Sequence, residues 1–350
     1  MKLSIIILTF NAIKYIDDCF KSILNQDWRE FKILVVDNAS DDGTLQHIKE
    51  NYPEVTVLQN FKNLGFAKGT NQGIKFWDSE YVLLVNQDVI LQPDFLSKIM
   101  MVAEQHPDCG SFTGKVLKLS HIEEERDTFV PDIIDTAGIA VSRARRFYDR
   151  GAGQEDKGQF DLQEEIFGPS GALALYRRTA LESMKINSHI GKQGYKFAND
   201  LDYFEYFDES YFMYKEDIDL AWRLQWAGWK CLYVPAAEAH HYRTAFGLAE
   251  FSNRRVARDR RTKSKFVNRL SFRNHWLTLL KNDAWANFWL HSPWIFFYEL
   301  KKFAYIVVFE WNTVRLLLSS GGLFFSTLRK RKQVLKMRQR SPAVMRRWFQ

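Results

Sequence analysis

The sequence predicts an α/β protein with a mostly parallel central sheet flanked by helices. Short apolar runs alternate with amphipathic stretches from Leu3 to Asn86. Each run is apolar at consecutive positions, as strands buried on both faces require. Four successive runs end in Asn or Asp, and in doubly wound sheets ligands bind outside the carboxyl ends of the strands. In order, Ser4 to Leu8 reads as a strand, Ala12 to Gln26 as a helix, Phe31 to Val36 as a strand and Asp42 to Asn51 as a helix. Val55 to Gln59 is then a strand, Gly65 to Trp77 a helix and Tyr81 to Asn86 a further buried strand. The opening Met1 to Phe10 is too short for a signal peptide and lacks a small-residue cleavage site, so it is read as the first strand.

The strand ends are Thr9-Phe10-Asn11, Asp37-Asn38-Ala39-Ser40, Asn60 to Asn63 and Asn86-Gln87-Asp88. These residue types also cap helices, and Ser40 or Asp41 before Gly43-Thr44 fits that role. Asp88 does so less well, because another apolar run, Val89-Ile90-Leu91, intervenes before Pro93 opens a helix. Residues 105–163 are assigned only to strands and surface loops. Phe167-Gly168-Pro169-Ser170-Gly171-Ala172 suggests a tight turn beside a pocket, and Leu173 to Tyr176 a short strand. From Glu216 the apolar spacing is helical, which puts Glu216 and Asp217 at a helix start, where the dipole favours ionised carboxylates. Gly228 ends that helix, and Trp229 to Val234 reads as a strand leading through Pro235 to His240-His241.

In order and spacing, these pieces resemble the inverting family 2 glycosyltransferases of the GT-A fold, and within them the rhamnosyltransferase-like bacterial members. The matching segments are 4–11, 35–44, 63–67, 84–89, Gly171-Ala172, 214–220 and Gly228-Trp229. The resemblance implies a catalytic domain over residues 1–245. It also implies transfer of a sugar, L-rhamnose from TDP-rhamnose among the candidates, from a TDP or UDP donor to a lipid-linked or cell-surface saccharide. A leaving diphosphate calls for Mg2+ or Mn2+. The family's Asp-x-Asp motif reads Asn86-Gln87-Asp88 here. Asp88 would then be the principal ligand, Asn86 would bond to ribose or metal-bound water, and His241, in preference to His240, would complete the site. By the same carry-over Thr9, Asn11, Asp37 and Asn38 would hold the nucleoside. Gly65 and Asn71 would line the pocket near the sugar or phosphates, with Gly171 on the donor side. Asp37 reads equally as a cap, Asn71 as a solvated helix residue, and the paired histidines as a polar turn. Inversion needs one carboxylate to accept the acceptor's proton. Asp217 is assigned that role, and Glu216 would orient the acceptor. Asp219 is expected to pair with Arg223 one helical turn on.

Charge is distributed unevenly. The 49 Lys+Arg against 42 Asp+Glu give +7 overall, but Met1 to His240 holds 26 basic and 37 acidic residues, and His241 to Gln350 holds 23 and 5. Arg254, Arg255, Arg258, Arg260, Arg261, Lys263, Lys265, Arg269 and Arg273 crowd one segment, followed by a Trp- and Phe-rich stretch and a basic close. Residues 246–350 therefore read as a helical extension suited to an anionic membrane surface, with packing on the catalytic domain or another subunit as the plain alternative. No window is apolar over the length of a spanning helix, so the expected location is cytoplasmic and peripheral on the inner membrane face. Three scattered cysteines, Cys19, Cys109 and Cys231, lack metal or redox spacing and suit a reducing compartment. A nucleic-acid binder is disfavoured by the absence of any recognition motif. A nucleotidyltransferase is disfavoured by the absence of a Gly-rich triphosphate loop.

Overall fold

The computed structural model describes residues 1–119, 132–187, 204–242 and 264–350. Strands β1 (Leu3–Thr9), β2 (Phe31–Asp37), β3 (Thr56–Gln59) and β4 (Tyr81–Asn86) pair in parallel in the order β3-β2-β1-β4. The register sets Thr9 opposite Asp37 and Leu8 opposite Asn86, so the polar residues closing these runs share one rim. The sheet continues through β11 (Leu173–Arg177), which is antiparallel to β4, then β6 (Cys109–Lys118), β14 (Lys230–His241) and β10 (Glu164–Ile166). Two short strands, β5 (Val89–Leu91) and β7 (Ile133–Thr136), add to β14 and β6. The pairs β8 (Ile139–Val141) with β9 (Phe147–Asp149) and β12 (Ile186–Asn187) with β13 (Phe204–Glu205) stand apart.

Both faces of the sheet are covered, which explains the unbroken apolar runs. Ile5, Ile7, Leu83 and Val85 pack with residues of α1 (Ile16–Leu24) and α4 (Phe95–Gln105). Ile6, Leu34, Val82 and Leu84 pack on the other face with α3 (Phe66–Phe76) and α6 (Glu216–Trp226). The helix α2 (Thr44–Asn51) follows β2, and α5 (Arg178–Ser183) follows β11.

Helix starts differ from the sequence expectations by a few residues. The first helix begins at Ile16 instead of Ala12, and the fourth at Phe95, two residues past Pro93. The strand expected over Trp229 to Val234 instead runs to His241. Pro235 lies where its register against β6 shifts between Val234 and Glu238. The irregularity leaves Pro235, Ala236 and Ala237 out of the ladder, and so tolerates a residue with no N–H.

The C-terminal region is helical: α7 (Lys265–Asn282), α8 (Trp285–Leu290), α9 (Ser292–Phe309), α10 (Trp311–Ser319), α11 (Gly321–Lys336) and α12 (Pro342–Met345). Much of it packs onto the α/β layers. Leu279, Val334, Met345 and Phe349 join Trp222 and Trp226 of α6 in one apolar cluster. Buried charges join the same parts. Lys281 pairs with Asp208 and, at 2.8 Å, with Asp219, which also pairs with Arg223 at 3.0 Å. Lys330 adds Asp208 at 2.6 Å and Glu205 at 3.0 Å. Burial raises the Asp208 carboxyl's pKa, but Lys281 and Lys330 overcome this and hold it well below the usual range. The expected Asp219–Arg223 pair is thus present, inside a larger network.

The expectation of a continuous cationic surface is corrected accordingly. Arg273, Lys281, Lys330 and Arg331 are buried, because internal carboxylates and carbonyls take up their charge. Arg254, Arg255, Arg258, Arg260, Arg261 and Lys263 lie outside the described residues. Removing one partner of a buried pair strands the other charge. Lys281→Met is therefore expected to lower unfolding stability by about 3–5 kcal/mol, measured by urea denaturation.

Candidate active site

Four residues expected to line the donor pocket are buried within the protein: Thr9, Asp37, Asn38 and Asn71. Their polar groups bond within the rim. Asp37 accepts from Thr9 Oγ1 at 2.9 Å and from the Ser40 N–H at 3.0 Å. Asn38 donates to the Gly65 carbonyl at 3.2 Å and accepts from Asn60 Nδ2 at 3.0 Å. Asn71 accepts from the Tyr206 and Phe207 N–H groups at 3.2 and 2.9 Å and donates to the Phe207 carbonyl at 2.8 Å. Asn71 therefore anchors the chain entering the catalytic segment, and is not a solvated residue.

Asn11 stays at the surface, where its side chain receives the Asp41 N–H at 3.0 Å. It adopts a φ of 54° and Ala39 a φ of 63°, so the two facing loops turn sharply back over the strand ends. Gln87, which carries no sequence signal, ties them to the motif by accepting the Phe10 N–H at 2.8 Å.

Gly65 has a φ of +81°, and a Cβ there would meet the Phe212 carbonyl oxygen at 2.5 Å. Only glycine meets both conditions without strain. The contact also brings the strand-end loop against the turn that leads into α6. In that turn Phe212, Tyr214 and Lys215 all have positive φ, at 65°, 70° and 75°. Such strain persists only when surrounding structure enforces it. Asn274 of α7 supplies that enforcement, with its Nδ2 at 2.9, 2.8 and 2.8 Å from the carbonyls of Tyr211, Met213 and Tyr214.

The turn delivers Glu216 and Asp217 at the start of α6. One Asp217 oxygen receives the Gly171 N–H at 3.1 Å and the other the Ile218 N–H at 2.8 Å. Gly171 thus reaches the site through its backbone. The adjoining Ala172 carbonyl accepts the Asn86 N–H at 2.9 Å, so the carboxylate and the Asn86-Gln87-Asp88 segment are anchored on neighbouring strands at one edge. Burial raises the Asp217 pKa above the ordinary range, which makes it a stronger base. Glu216 is buried, with one carboxylate oxygen lacking a partner. Burial, then the neighbouring Asp217 charge, pushes its pKa up to about 8.

Asp88 is partly exposed and sits 3.2 Å from His241 Nε2, while His241 Nδ1 is 2.8 Å from Asp135. Side chains alternate along a strand, so His240 points away, towards Gln92. Burial lowers the imidazole's pKa, but the hydrogen bonds to Asp135 and then Asp88 prevail and push it up to about 9. A carboxylate holding the second ring nitrogen is the usual arrangement around a ligating histidine. One carboxylate and one imidazole fit a divalent ion that takes its remaining ligands from water and substrate phosphates. Among the described residues a separate group, His106, Asp108 and Cys109, has ligand atoms within 4.8 Å of one another. It lies at the start of β6, away from this rim. Lys230 pairs with its carboxylate at 2.6 Å, and burial keeps its thiol protonated, at a pKa of about 12.

A parallel sheet with a polar rim, a carboxylate fixed at a helix start and an Asp–His pair on the same edge define a nucleotide-sugar type of α/β enzyme. The profile of Glycosyl transferase family 2 matches residues 4–184, and the chain belongs to that family. It is 27% identical over 255 residues, 69% of this chain and 76% of the relative, to N-acetylglucosaminyl-diphospho-decaprenol L-rhamnosyltransferase of Mycobacterium tuberculosis. It is 33% identical over 111 residues, 30% of this chain and 19% of the relative, to the poly(ribitol-phosphate) beta-N-acetylglucosaminyltransferase TarS of Staphylococcus aureus. Among solved structures, S. aureus TarS 1-349 with UDP-GlcNAc aligns at a TM-score of 0.52 and 16% identity, covering 94% of this chain and 82% of that one. GalNAc-T7 with UDP, GalNAc and Mn2+ aligns at 0.54 and 11%, covering 80% and 48%. The fold is GT-A-like, and the protein is a glycosyltransferase.

The Glu216 environment sets a pH dependence. The unfolded chain releases this proton near the ordinary 4.5, and the folded chain holds it to about 8. The folded state therefore binds more protons between those values, and wild-type stability falls as pH rises through that window. Glu216→Gln removes the dependence. Its melting temperature relative to wild type is expected to rise steadily from pH 5 to pH 8 in differential scanning calorimetry.

Proposed function

We propose that the protein is an inverting glycosyltransferase that moves a sugar, L-rhamnose from TDP-rhamnose foremost, onto a lipid-linked saccharide at the cytoplasmic membrane face. The observation that carries this reading is the shared edge. Asp217, Gly171 and Asn86 are joined by hydrogen bonds through Ala172, next to the partly exposed Asp88. The M. tuberculosis relative, whose name combines a diphospho-decaprenol acceptor with L-rhamnosyl transfer, supports the substrate class. The UDP-GlcNAc complex of the structural neighbour supports a nucleoside-diphosphate donor.

Asp217 acts as the base. The acceptor hydroxyl gives its proton to the carboxylate while its oxygen bonds to the anomeric carbon. The bond from that carbon to the diphosphate breaks on the opposite face, and the electron pair leaves with the diphosphate oxygen. The Gly171 and Ile218 N–H groups fix the carboxylate's orientation, and the upward shift that burial gives its pKa makes it a stronger proton acceptor. Glu216, protonated beside it, offers a hydrogen-bond donor to orient the acceptor. Asp88 and His241 would hold a divalent ion, Mg2+ or Mn2+, with Asp135 keeping the imidazole aligned. When bound, that ion would neutralise charge on the leaving diphosphate.

Asp217→Asn should lower transfer by about 10^3-fold, within the span of general-base effects, with nucleotide affinity retained. Calorimetric titration of TDP, UDP and GDP with and without manganese identifies the donor class. Asp88→Ala should remove the manganese-dependent part of that affinity. Unchanged affinity would place the ion elsewhere, and no nucleotide binding at all would overturn the reading.

A further inference from the structure

The helices after α7 leave a large aromatic face uncovered. On α9, Ile295, Glu299 and Ile306 point inward, with Ile306 packed beside Phe272 and Val314 and Glu299 paired with His275 at 2.9 Å. Most of the rest of the helix, Lys301 and Lys302 apart, is also apolar, yet it faces out. Phe296 is 61% exposed, Phe297 63% and Val308 70%, and on α8 Trp289 is 69% exposed. Trp285 on α8 and Trp294 and Phe303 on α9 are exposed as well. An amphipathic surface helix normally turns its polar side to water, whereas here aromatic side chains face out, and monomeric proteins rarely leave so broad an apolar patch to water.

We propose that α8 and α9 form an interfacial docking face that seats the protein on an anionic lipid bilayer. Charge identifies the occupant. Residues 284–350 contain twelve basic and two acidic residues; Lys330 and Arg331 are buried among the former and Glu299 among the latter, so the balance outside the core stays strongly positive. Lys301 on α9, Arg315 on α10 and Lys332 on α11 are exposed. Arg143 lies 5.8 Å from the centre of the Trp294 ring, at the edge of the face. Basic side chains beside Trp and Phe match the headgroup zone, where each Lys or Arg near an anionic surface contributes about 1 kcal/mol. A second copy fits worse, since pairing the face with itself would bring Lys301 and its cationic surroundings against their own kind. Protein interface centres are also depleted of lysine.

No described helix is long and apolar enough to cross a membrane. At 18 residues, α9 is about 27 Å long at 1.5 Å per residue, and it lies along the interface with its aromatic side among the acyl chains and headgroups. The proposal deepens the lipid-linked acceptor reading, since it would hold the site beside an acceptor confined to the bilayer. Its test is independent of transfer.

The test is co-sedimentation of the full chain with phosphatidylcholine vesicles and with vesicles containing phosphatidylglycerol, for wild type and for the triple variant Phe296→Ser, Phe297→Ser, Phe303→Ser. Wild type should bind the anionic vesicles at least about tenfold more tightly than the neutral ones, and more weakly in high salt. The variant should lose that binding while keeping its circular dichroism and any nucleotide affinity. Equal binding to both vesicles, or anionic binding unchanged in the variant, would overturn the proposal. So would a lipid-free dimer in sedimentation velocity that the variant dissociates. Vesicle binding without nucleotide binding would sink the function while leaving the docking face standing, and the reverse result would do the opposite.

Discussion

The buried ion pairs that join Lys281 to Asp208 and Asp219 hold the active site to its support. Asp219 lies two residues beyond Asp217 on the same helix, and Lys281 ends a helix from another part of the chain. Three carboxylates, Glu205, Asp208 and Asp219, face three cations, Lys281, Lys330 and Arg223, in this region. Balance of this kind makes their burial tolerable, since an unmatched charge there would cost several kcal/mol. Its consequence is positional. The first turn of α6 cannot shift without breaking pairs that have no water to replace them. Asn274, seven residues before Lys281 on α7, clamps the strained turn just ahead of Glu216. The C-terminal helices are thus part of the catalytic scaffold, and the boundary expected at residue 245 separates segments that the core joins.

What the sequence revealed and what it hid follow from the range of each interaction. Strands β1, β2 and β4 were legible because burial on both faces writes a continuous apolar run, and their closing polar residues followed from where parallel strands end. The helix start that carries Asp217 was legible from the apolar spacing after Glu216. Asp135 was not, because it lies on a short strand in a stretch without periodicity, and only pairing of β7 with β6 brings it near His241. Choosing between His240 and His241 needed the strand's alternation to be carried past Pro235, where the register shifts. The left-handed run at Phe212, Tyr214 and Lys215 is invisible for a related reason. None of these residues prefers that backbone, and its enforcement comes from Asn274, far along the chain.

The motif residues divide by exposure in a way that residue type alone does not announce. Thr9, Asp37, Asn38 and Asn71 are buried and spend their hydrogen bonds on loops, whereas Asn11, Asn86, Asp88 and Asp217 keep some surface. A polar residue at a strand end can either build the rim or face the ligand. Thr9 and Asp37, which bond to each other, and Asn71, which holds the Tyr206 and Phe207 backbone, build the rim.

The basic residues of the tail divide on the same principle. Lys281, Lys330, Arg273 and Arg331 are drawn inward by carboxylates and by carbonyls at turns and helix ends, where fixed geometry repays desolvation. Lys301, Arg315 and Lys332 stay at the surface, where a charge costs little and acts at the range of a Debye length. Composition alone reports both groups as one cationic extension. Their separation shows one helical segment meeting two demands: its inner cations brace α6 and the turn before it, and its outer cations stay available at the surface.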